Sequence, residues 1–327
     1  MINSLLAVHC LTRPSQNSTA SKVFSEGTAP LTCLADSEDG SLYVGSWDKN
    51  IHAVKLDHSA PTTRLTGHTD FVKCLLAFGL GSTPILISGG ADSSIMVWDT
   101  TNRKRLHKIQ TTAKAIQDLA IDPLSLPEQE GSPADSFVLF TASNGRDIRR
   151  YHISLAKAYE LEESVDKPIL AHETSVYKLR FDSEGDLWTA SADKTAKHLV
   201  RSRNWEADTT LQHPDFVRDI VIAEEHGVVV TACRDEEVRV WDIASGSLVC
   251  TYSGHYEEVT SLALIGSRVV SGSIDGTVRR WGLSKKDMAA YVKSLGKEAD
   301  VDTGTKKEGL LSAEEEAELA ELMDDDE

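Results

Sequence analysis

Cysteine is scarce in this chain, and long apolar runs are missing from it. The 327 residues include five cysteines, and none of them forms a C-x-x-C pair or another metal-ligand spacing. They are therefore expected to be small, reduced core residues, as in cytosolic or nuclear proteins. The apolar patch from Leu5 to Val8 is too short for a signal core and has no basic lead-in, so neither secretion nor a membrane span is predicted.

Basic residues are too few to balance the acidic ones. The chain has 34 lysines and arginines against 51 aspartates and glutamates, which gives a formal net charge of −17. Much of the excess lies between Lys297 and Glu327, where three lysines face thirteen acidic residues. An overall negative field disfavours contacts with phosphate backbones, so direct nucleic-acid binding is not expected.

A repeated unit organises most of the chain, and it is seen first between Gly67 and Asp99. A Gly-His pair is followed there by three short β patterns separated by turns, and the unit closes on Trp98-Asp99. Two later stretches, from His213 to Asp242 and from Gly254 to Gly282, repeat it almost position for position. In all three stretches the turn aspartate lies six residues before the tryptophan.

The Gly-His opening, the Ser/Thr-x-x-x-Asp turn and the closing Trp-Asp resemble the WD-repeat β-propeller family, in which each repeat of about 40 to 45 residues forms a four-stranded blade. Weaker copies lie at residues 30–54, 114–151 and 171–200, so six repeats span residues 30–282. The resemblance implies an all-β propeller. Family habit favours seven blades and the visible strand material favours six, so both counts stay open.

Within the repeats, the histidine, hydroxyl, aspartate and tryptophan are predicted to form internal chains of hydrogen bonds. Such chains would satisfy buried polar groups that otherwise cost about 1 to 3 kcal/mol each. The predicted members are His68, Ser88, Asp92 and Trp98; His172, Thr189 and Asp193; His213, Thr231, Asp235 and Trp241; and His255, Ser271, Asp275 and Trp281.

Histidine, serine and aspartate are also the members of a hydrolase triad. A catalytic triad is needed once, whereas this set occurs four times, with serine and threonine interchangeable. The sequence also contains no G-x-S-x-G nucleophile motif. We therefore expect a protein that is not an enzyme. No pair of histidines has the spacing of metal ligands on one element, so neither a metal nor a cofactor is expected.

The two ends of the chain lie outside the repeats. Residues 1–29 hold two possible strands, and the second of them, Ser21 to Phe24, is expected to complete the last blade and close the propeller. Residues 283–296 predict an amphipathic helix, and residues 297–327 predict an acidic linker and a short C-terminal helix with Leu319, Leu322 and Met323 on one face. That last helix is either a solubilising tail or a recognition helix for a partner.

Partner contacts in the WD-repeat family recur at three positions of each repeat, on the narrow face of the propeller. These positions are the residues before and after the valine of the first strand, and the residue before the turn aspartate. Carried over to this chain, they are Thr32, Trp47, Phe71, Lys73, Gln117, Tyr177, Phe216, Arg218, Arg234 and Glu258. Aromatic residues and arginine dominate the energetics of many interfaces. The alternative is that some of these side chains pack against neighbouring blades.

The resemblance implies a non-catalytic scaffold or adaptor that binds a protein or peptide segment at the narrow face, in the cytoplasm, the nucleus or both. Arg218, Arg234 and Lys73 suggest a segment with acidic or phosphorylated residues. The alternative is a dedicated subunit or substrate receptor of a larger complex in ribosome assembly, chromatin or ubiquitin ligation. A ligase role is disfavoured, because no F-box-like region precedes the repeats and neither Trp98-Asp99 nor Trp241-Asp242 continues as the x-Arg of cullin-linked adaptors.

Overall fold

Six antiparallel sheets, one for each blade of a β-propeller, are found in the part of the chain that the structure describes. The computed structural model describes residues 29–37, 40–55, 61–127 and 134–302, and the side chains of the last helix as far as residue 294. The chain divides into two units, residues 1–282 and residues 283–327. The first unit contains the sheets, so the described residues form an all-β propeller of six blades, which agrees with the lower of the two expected counts.

The strands follow one another from the inside to the outside of each blade. The first two blades consist of β1 (Leu31–Asp36), β2 (Ser41–Ser46), β3 (Asn50–Lys55), β4 (Thr63–Thr66), β5 (Val72–Leu80), β6 (Thr83–Gly90), β7 (Ser94–Asp99) and β8 (Lys104–Gln110). The third blade consists of β9 (Ile116–Ile121), β10 (Ser136–Ser143), β11 (Asp147–Ser154), β12 (Ala158–Glu160) and the short β13 (Ile169–Leu170), which also pairs with β11.

The last three blades repeat this order. They consist of β14 (Val176–Phe181), β15 (Leu187–Ser191), β16 (Thr195–Val200), β17 (Glu206–Gln212), β18 (Val217–Ala223), β19 (Val228–Cys233), β20 (Val238–Asp242), β21 (Leu248–Tyr252), β22 (Val259–Ile265), β23 (Arg268–Ser273) and β24 (Val278–Gly282). Within the described residues the sixth blade has three strands. The N-terminal strands predicted to complete it lie in residues 1–28, outside the described residues.

Two α-helices accompany the strands in the described residues. The short α1 (Glu162–Asp166) lies in the connection between the third and fourth blades, and α2 (Lys285–Asp302) lies in the second unit. The Ser284 hydroxyl accepts a hydrogen bond from the Asp287 backbone N–H at 3.1 Å and so caps the N-terminus of α2. None of the helices in the described ranges is both long and apolar enough to cross a membrane.

Helix α2 is longer than predicted. It continues through Gly296 to Asp302, whereas the sequence predicts a linker from residue 297. Lysine, glutamate and alanine follow the glycine, and a single interior glycine costs a helix only about 1 kcal/mol. The rest of the predicted linker and the C-terminal helix, residues 303–327, lie outside the described residues.

The second strands of the blades are buried on both faces because each blade packs between its neighbours. Every residue of β19 is buried, and the same is true of β2 and β15. Cysteines lie in this core as predicted: Cys74, Cys233 and Cys250 are buried free thiols. Burial raises the pKa of the Cys233 thiol to about 11, so this group stays protonated at neutral pH.

The second blade contains the predicted hydrogen-bond chain in full. The Asp92 carboxylate lies 3.0 Å from His68 Nδ1, and His68 Nε2 lies 2.8 Å from the Ser88 hydroxyl, which accepts a hydrogen bond from Trp98 Nε1 at 2.9 Å. Because an ionised carboxylate only accepts, Nδ1 carries the imidazole proton and Nε2 accepts from Ser88. Every donor is therefore matched to one acceptor, from the turn to the third strand.

The fourth and sixth blades contain equivalent chains. His172 joins Asp193 to Thr189, and His255 joins Asp275 to Ser271, with distances of 2.7 to 3.1 Å. In the second, fourth and sixth blades a further hydroxyl lies two residues after the aspartate and contacts both the carboxylate and the histidine. These hydroxyls belong to Ser94, Thr195 and Thr277.

The fifth blade departs from the predicted chain at its aspartate. His213 and Trp241 both bind Thr231 as expected, but His213 Nδ1 faces the Leu211 carbonyl at 3.1 Å, and Asp235 pairs with Arg239 through two hydrogen bonds. The position two residues after the aspartate is Glu237, which lacks the bridging hydroxyl. The expected link from Asp235 to His213 is therefore wrong, and the arginine takes the place of the imidazole.

The turn aspartates also hold an unusual backbone conformation. The residue after the aspartate has a positive φ in five blades of the described structure, and four of these residues are not glycine: Lys49, Ser93, Lys194 and Glu236. Each such residue costs about 1 kcal/mol or more. In the second blade the Asp92 carboxylate accepts the backbone N–H of Ser94 at 3.1 Å, which offsets that cost and fixes the shape of the turn.

Replacing Ser88 by alanine tests the hydrogen-bond chain. The substitution would leave the buried Trp98 N–H and His68 Nε2 without their partner, and we expect a loss of about 1 to 3 kcal/mol for each group. The free energy of unfolding in urea measures the effect. Thr100→Ala is the matched control, since it removes a half-buried hydroxyl bonded to the Pro84 carbonyl and is expected to cost about 1 kcal/mol or less. Equal losses in the two variants would contradict the role of the chain.

Acid stability tests the Asp92 carboxylate. Burial alone would raise its pKa, but hydrogen bonds from the Ser94 hydroxyl and the Thr69 N–H lower the pKa from 3.8 to about 2. A pKa below that of the unfolded chain stabilises the fold above about pH 4, and the contribution is lost as the pH falls towards 2. We expect Asp92→Asn to lose less melting temperature than the wild type between pH 4 and pH 2. Asp166→Asn, a change on exposed α1, should behave as the wild type, and an unchanged acid loss in Asp92→Asn would contradict the assignment.

Candidate functional site

A β-bulge recurs near the start of the inner strand in each of the six described blades. The register with the second strand shifts there by one residue, and the extra residue has no partner across the strands. The bulged residues are Thr32, Lys73, Gln117, Tyr177, Arg218 and Thr260. Because a bulge re-aims its side chain out of the sheet, all six line one central cavity of about 690 Å³. Five of them are residues that the sequence marked as partner contacts, and Thr260 is the sixth-blade equivalent that it missed.

Ion pairs join the inner strands around this cavity. The Asp118 carboxylate binds Lys178 Nζ at 3.1 Å and the Leu179 backbone N–H at 3.0 Å, and Asp219 accepts the Leu262 backbone N–H at 2.8 Å. Burial alone would lower the pKa of Lys178, but the charges of Asp118 and Asp219 raise it, so this lysine stays protonated. The two aspartates thus tie the third blade to the fourth and the fifth blade to the sixth. Sequence reasoning missed them because the partners lie in different repeats.

Trp47 and Phe71 form an aromatic pair between the first and second blades. Their rings stack with centroids 4.7 Å apart and planes 11° apart. The turn backbone fixes both positions, since Trp47 N–H donates to the Pro30 carbonyl and the Phe71 carbonyl accepts from Ala91 N–H. Phe71 is half-buried, whereas the Trp47 side chain is 44% exposed. The predicted alternative, packing between neighbouring blades, therefore applies to this pair, and part of the Trp47 indole remains exposed.

Arg218 is held between the fourth and sixth blades. Its guanidinium lies over the Tyr177 ring, 4.6 Å from the centroid, and its Nε donates a hydrogen bond to Glu258. Burial alone would lower the pKa of Arg218, but the hydrogen bond to Glu258 raises it. The structure thus brings together three predicted contact residues from three blades. It also corrects the picture of Arg218 as an available basic group, because its charge is already paired.

Arg234 is the more accessible arginine of the fifth blade. Its guanidinium lies over the Phe216 ring at 5.2 Å, and its side chain remains 51% exposed. The nearest carboxylate, on Asp215, is 4.0 Å away, at the limit of an ion pair. Stacking on an aromatic ring fixes the guanidinium plane while leaving its N–H groups directed to solvent.

The remaining predicted contacts are less exposed or differently placed. Gln117 donates a hydrogen bond to Asn144 on the turn of the third blade, and Lys73 lines the cavity. Tyr256, which sequence reasoning missed, is 77% exposed directly after His255, and its N–H donates to Asp275. Its place after the repeat histidine was a usable signal. The tail residues Leu319, Leu322 and Met323 lie outside the described residues.

The hydroxyl groups of the repeated His-hydroxyl-Asp sets are buried within the blades. The four residues are fully buried, and each lies in a different blade: Ser88, Thr189, Thr231 and Ser271. A nucleophile must reach its substrate, and these hydroxyls are instead bonded to a histidine and, in three blades, to a tryptophan. These hydroxyl groups thus connect side chains inside each blade by hydrogen bonds.

Comparisons with known proteins identify the fold family. A model of the tRNA methyltransferase TRM82 WD40 domain matches residues 63–171, and the model of the WD domain, G-beta repeat, matches residues 205–242 and 246–282. An uncharacterized WD repeat-containing protein of Schizosaccharomyces pombe is 34% identical over 317 residues, which cover 93% of this chain and 79% of the relative. This chain belongs to the WD-repeat family.

Other relatives of this WD-repeat protein match over shorter or more distant stretches. Pre-mRNA-processing factor 19 of Bos taurus is 24% identical over 201 residues, which cover 60% of this chain and 36% of that protein. The crystal structure of the WD40 β-propeller domain of Doa1 superposes with a TM-score of 0.63 at 23% identity, over 80% of this chain and 82% of that one. The family and the fold support a general role as a protein-interaction scaffold.

Proposed function

We propose that this WD-repeat protein is a non-catalytic scaffold or adaptor that binds a protein or peptide segment at the narrow face of the propeller. The observation that carries the proposal is the ring of six bulged side chains around the central cavity, flanked by the exposed indole of Trp47 and the half-exposed guanidinium of Arg234. Large aromatic and arginine side chains that are already held in place lose little conformational entropy on binding, which suits them as anchors.

The two flanks of the face favour different groups on the partner. Trp47, backed by Phe71, offers a flat apolar surface at the first and second blades. Arg234, backed by Phe216, offers planar N–H donors at the fifth blade, which match a carboxylate or a phosphate. Lys73 adds a cation inside the cavity. The proposed ligand is therefore an extended segment with one apolar or aromatic residue and one acidic or phosphorylated residue.

Charge reversal at Arg234 and truncation of Trp47 test this site. Arg234→Glu and Trp47→Ala are each expected to weaken partner capture at least about tenfold, as for central anchors of interfaces. Affinity capture from the cells of origin with quantitative mass spectrometry measures the loss. Arg103→Glu is the matched control, because it makes the same charge change at an exposed turn between β7 and β8, at the opposite end of the strands from the Asp92 turn.

Two further outcomes of that experiment separate the attachment points. Retention of every partner by both face variants, with melting temperatures unchanged, would contradict the proposal. A protein truncated after Asp302 reports on the acidic tail, which we propose as a second attachment through Leu319, Leu322 and Met323. Partners lost from the truncated protein alone belong to the tail.

A second candidate function is that of a dedicated, non-catalytic subunit of a larger complex, in ribosome assembly, chromatin or ubiquitin ligation. The match of residues 63–171 to a WD40 domain named for a tRNA methyltransferase favours it, since that name couples a propeller to an enzyme. Native mass measurement of the protein from its own cells is expected to show a fixed assembly well above the 35.7 kDa of the chain. A monomer with partners in variable, substoichiometric amounts would favour the adaptor instead.

A further inference from the structure

An imidazole and two carboxylates converge at one end of the fourth blade, away from the turn that carries Asp193. Asp182 and Asp186 flank the hairpin between β14 and β15, and His198 lies on β16. His198 Nε2 is 3.1 Å from an Asp182 oxygen and 4.0 Å from an Asp186 oxygen. One ligand atom from each of the three residues lies within 4.8 Å of the other two. Repeat-based reasoning missed this group, because His198 is not the repeat histidine of its blade.

Two residues outside this group, Trp188 and Asp208, hold the imidazole of His198 in one orientation. The ring of Trp188 packs on it, with centroids 4.7 Å apart and planes 31° apart. Its Nδ1 lies 2.8 Å from an Asp208 oxygen on β17. Because that carboxylate accepts, Nδ1 carries a proton and Nε2 is the nitrogen that faces Asp182 and Asp186, where a second proton or a metal ion has to lie between it and the carboxylates. A carboxylate behind a histidine is the usual outer support of a metal-binding imidazole.

Each of the two carboxylates is fixed through one oxygen by backbone N–H groups. Asp182 Oδ1 accepts from the N–H groups of Glu184 and Asp186 at 3.1 and 2.8 Å, and Asp186 Oδ1 accepts from the Arg201 N–H at 2.7 Å. The second oxygen of each, Oδ2, is the atom that faces His198. All the ligand atoms are thus placed before anything binds, which reduces the entropy lost on binding.

The two carboxylates beside His198 favour a positive charge between the three groups. Two carboxylate oxygens and an imidazole lone pair that share one small space repel one another unless a positive charge lies between them. A proton on His198 Nε2 is one way to supply it, and a divalent metal ion is another. Asp182, Asp186 and His198 are only partly buried, so an ion from solvent can reach them.

We infer that Asp182, Asp186 and His198 form a binding site for a divalent transition-metal ion, with zinc as the best match. One imidazole and two carboxylates are ligands that zinc accepts, and its fourth position would be left to water or to a group of a partner. Magnesium and calcium are disfavoured because they prefer all-oxygen sites. Bound there, the ion would fasten the β14–β15 hairpin to β16.

The test is titration of the full-length protein, freed of metal by a chelator, with zinc sulfate at pH 7.5 in a calorimeter. We expect one zinc ion per chain. His198→Gln and the double variant Asp182→Asn/Asp186→Asn should each weaken binding more than about 100-fold, and Asp208→Asn, which keeps all three ligands, about 10- to 100-fold. Glu184→Gln is the matched control, because it removes an exposed charge from the same hairpin and should bind as the wild type.

A second measurement keeps the inference testable if a ligand variant fails to fold. Cobalt(II) added to the wild type should give the visible absorption of a four- or five-coordinate ion with nitrogen and oxygen ligands, and zinc should displace it. Absence of zinc uptake, with nitrogen NMR showing both His198 nitrogens protonated at pH 7.5, would make a proton the resident cation and overturn the inference. Equal affinity in the wild type and His198→Gln would show adventitious binding and overturn it as well.

Discussion

One buried hydroxyl per blade joins the core to the surface turn in three of the described blades, the second, fourth and sixth. Ser88 accepts from Trp98 and donates to His68, and His68 in turn holds Asp92 in the turn between the second and third strands. That turn carries a residue of positive φ, which the aspartate stabilises through the backbone of the residue beyond it. The residues on either side of the turn therefore have fixed positions. Hydrogen bonds from inside the blade therefore fix the conformation of this turn.

A second constraint places side chains on the inner strands. The bulge at the start of each strand removes one residue from the ladder and turns its side chain towards the cavity. The inner strand is also the edge of its sheet, so alternate backbone N–H groups point away from the blade. Asp118 and Asp219 accept two of these groups, at Leu179 and Leu262, and so join the third blade to the fourth and the fifth to the sixth.

The repeat pattern was enough to predict the blades, three hydrogen-bond chains and the positions of five of the six bulged residues that line the cavity, because these depend on spacing within one repeat. The repeat pattern failed where a residue close in the sequence changed the hydrogen-bond partner of the turn aspartate. Glu237 replaces the bridging hydroxyl found at Thr195, so Asp235 pairs with Arg239. It also failed for the pairing of Arg218 with Glu258 and for the group around His198, since such contacts depend on which strands become neighbours in space.

The first and third blades depart from the repeat pattern, and they show that different side chains can hold an aspartate at or near the turn. In the first blade His52 lies four residues after Asp48 and contacts it at 2.9 Å, whereas the regular blades recruit a histidine from outside the turn. In the third blade Arg149 bridges Asp147 and Glu160, and thereby links the inner turn to the outer strand. Common to both is an aspartate at or next to the turn that accepts a hydrogen bond from a side-chain nitrogen. The residue that donates the hydrogen bond therefore varies between blades, whereas the contact with the aspartate is kept. A blade that departs from the repeat pattern still holds its turn in place through this contact.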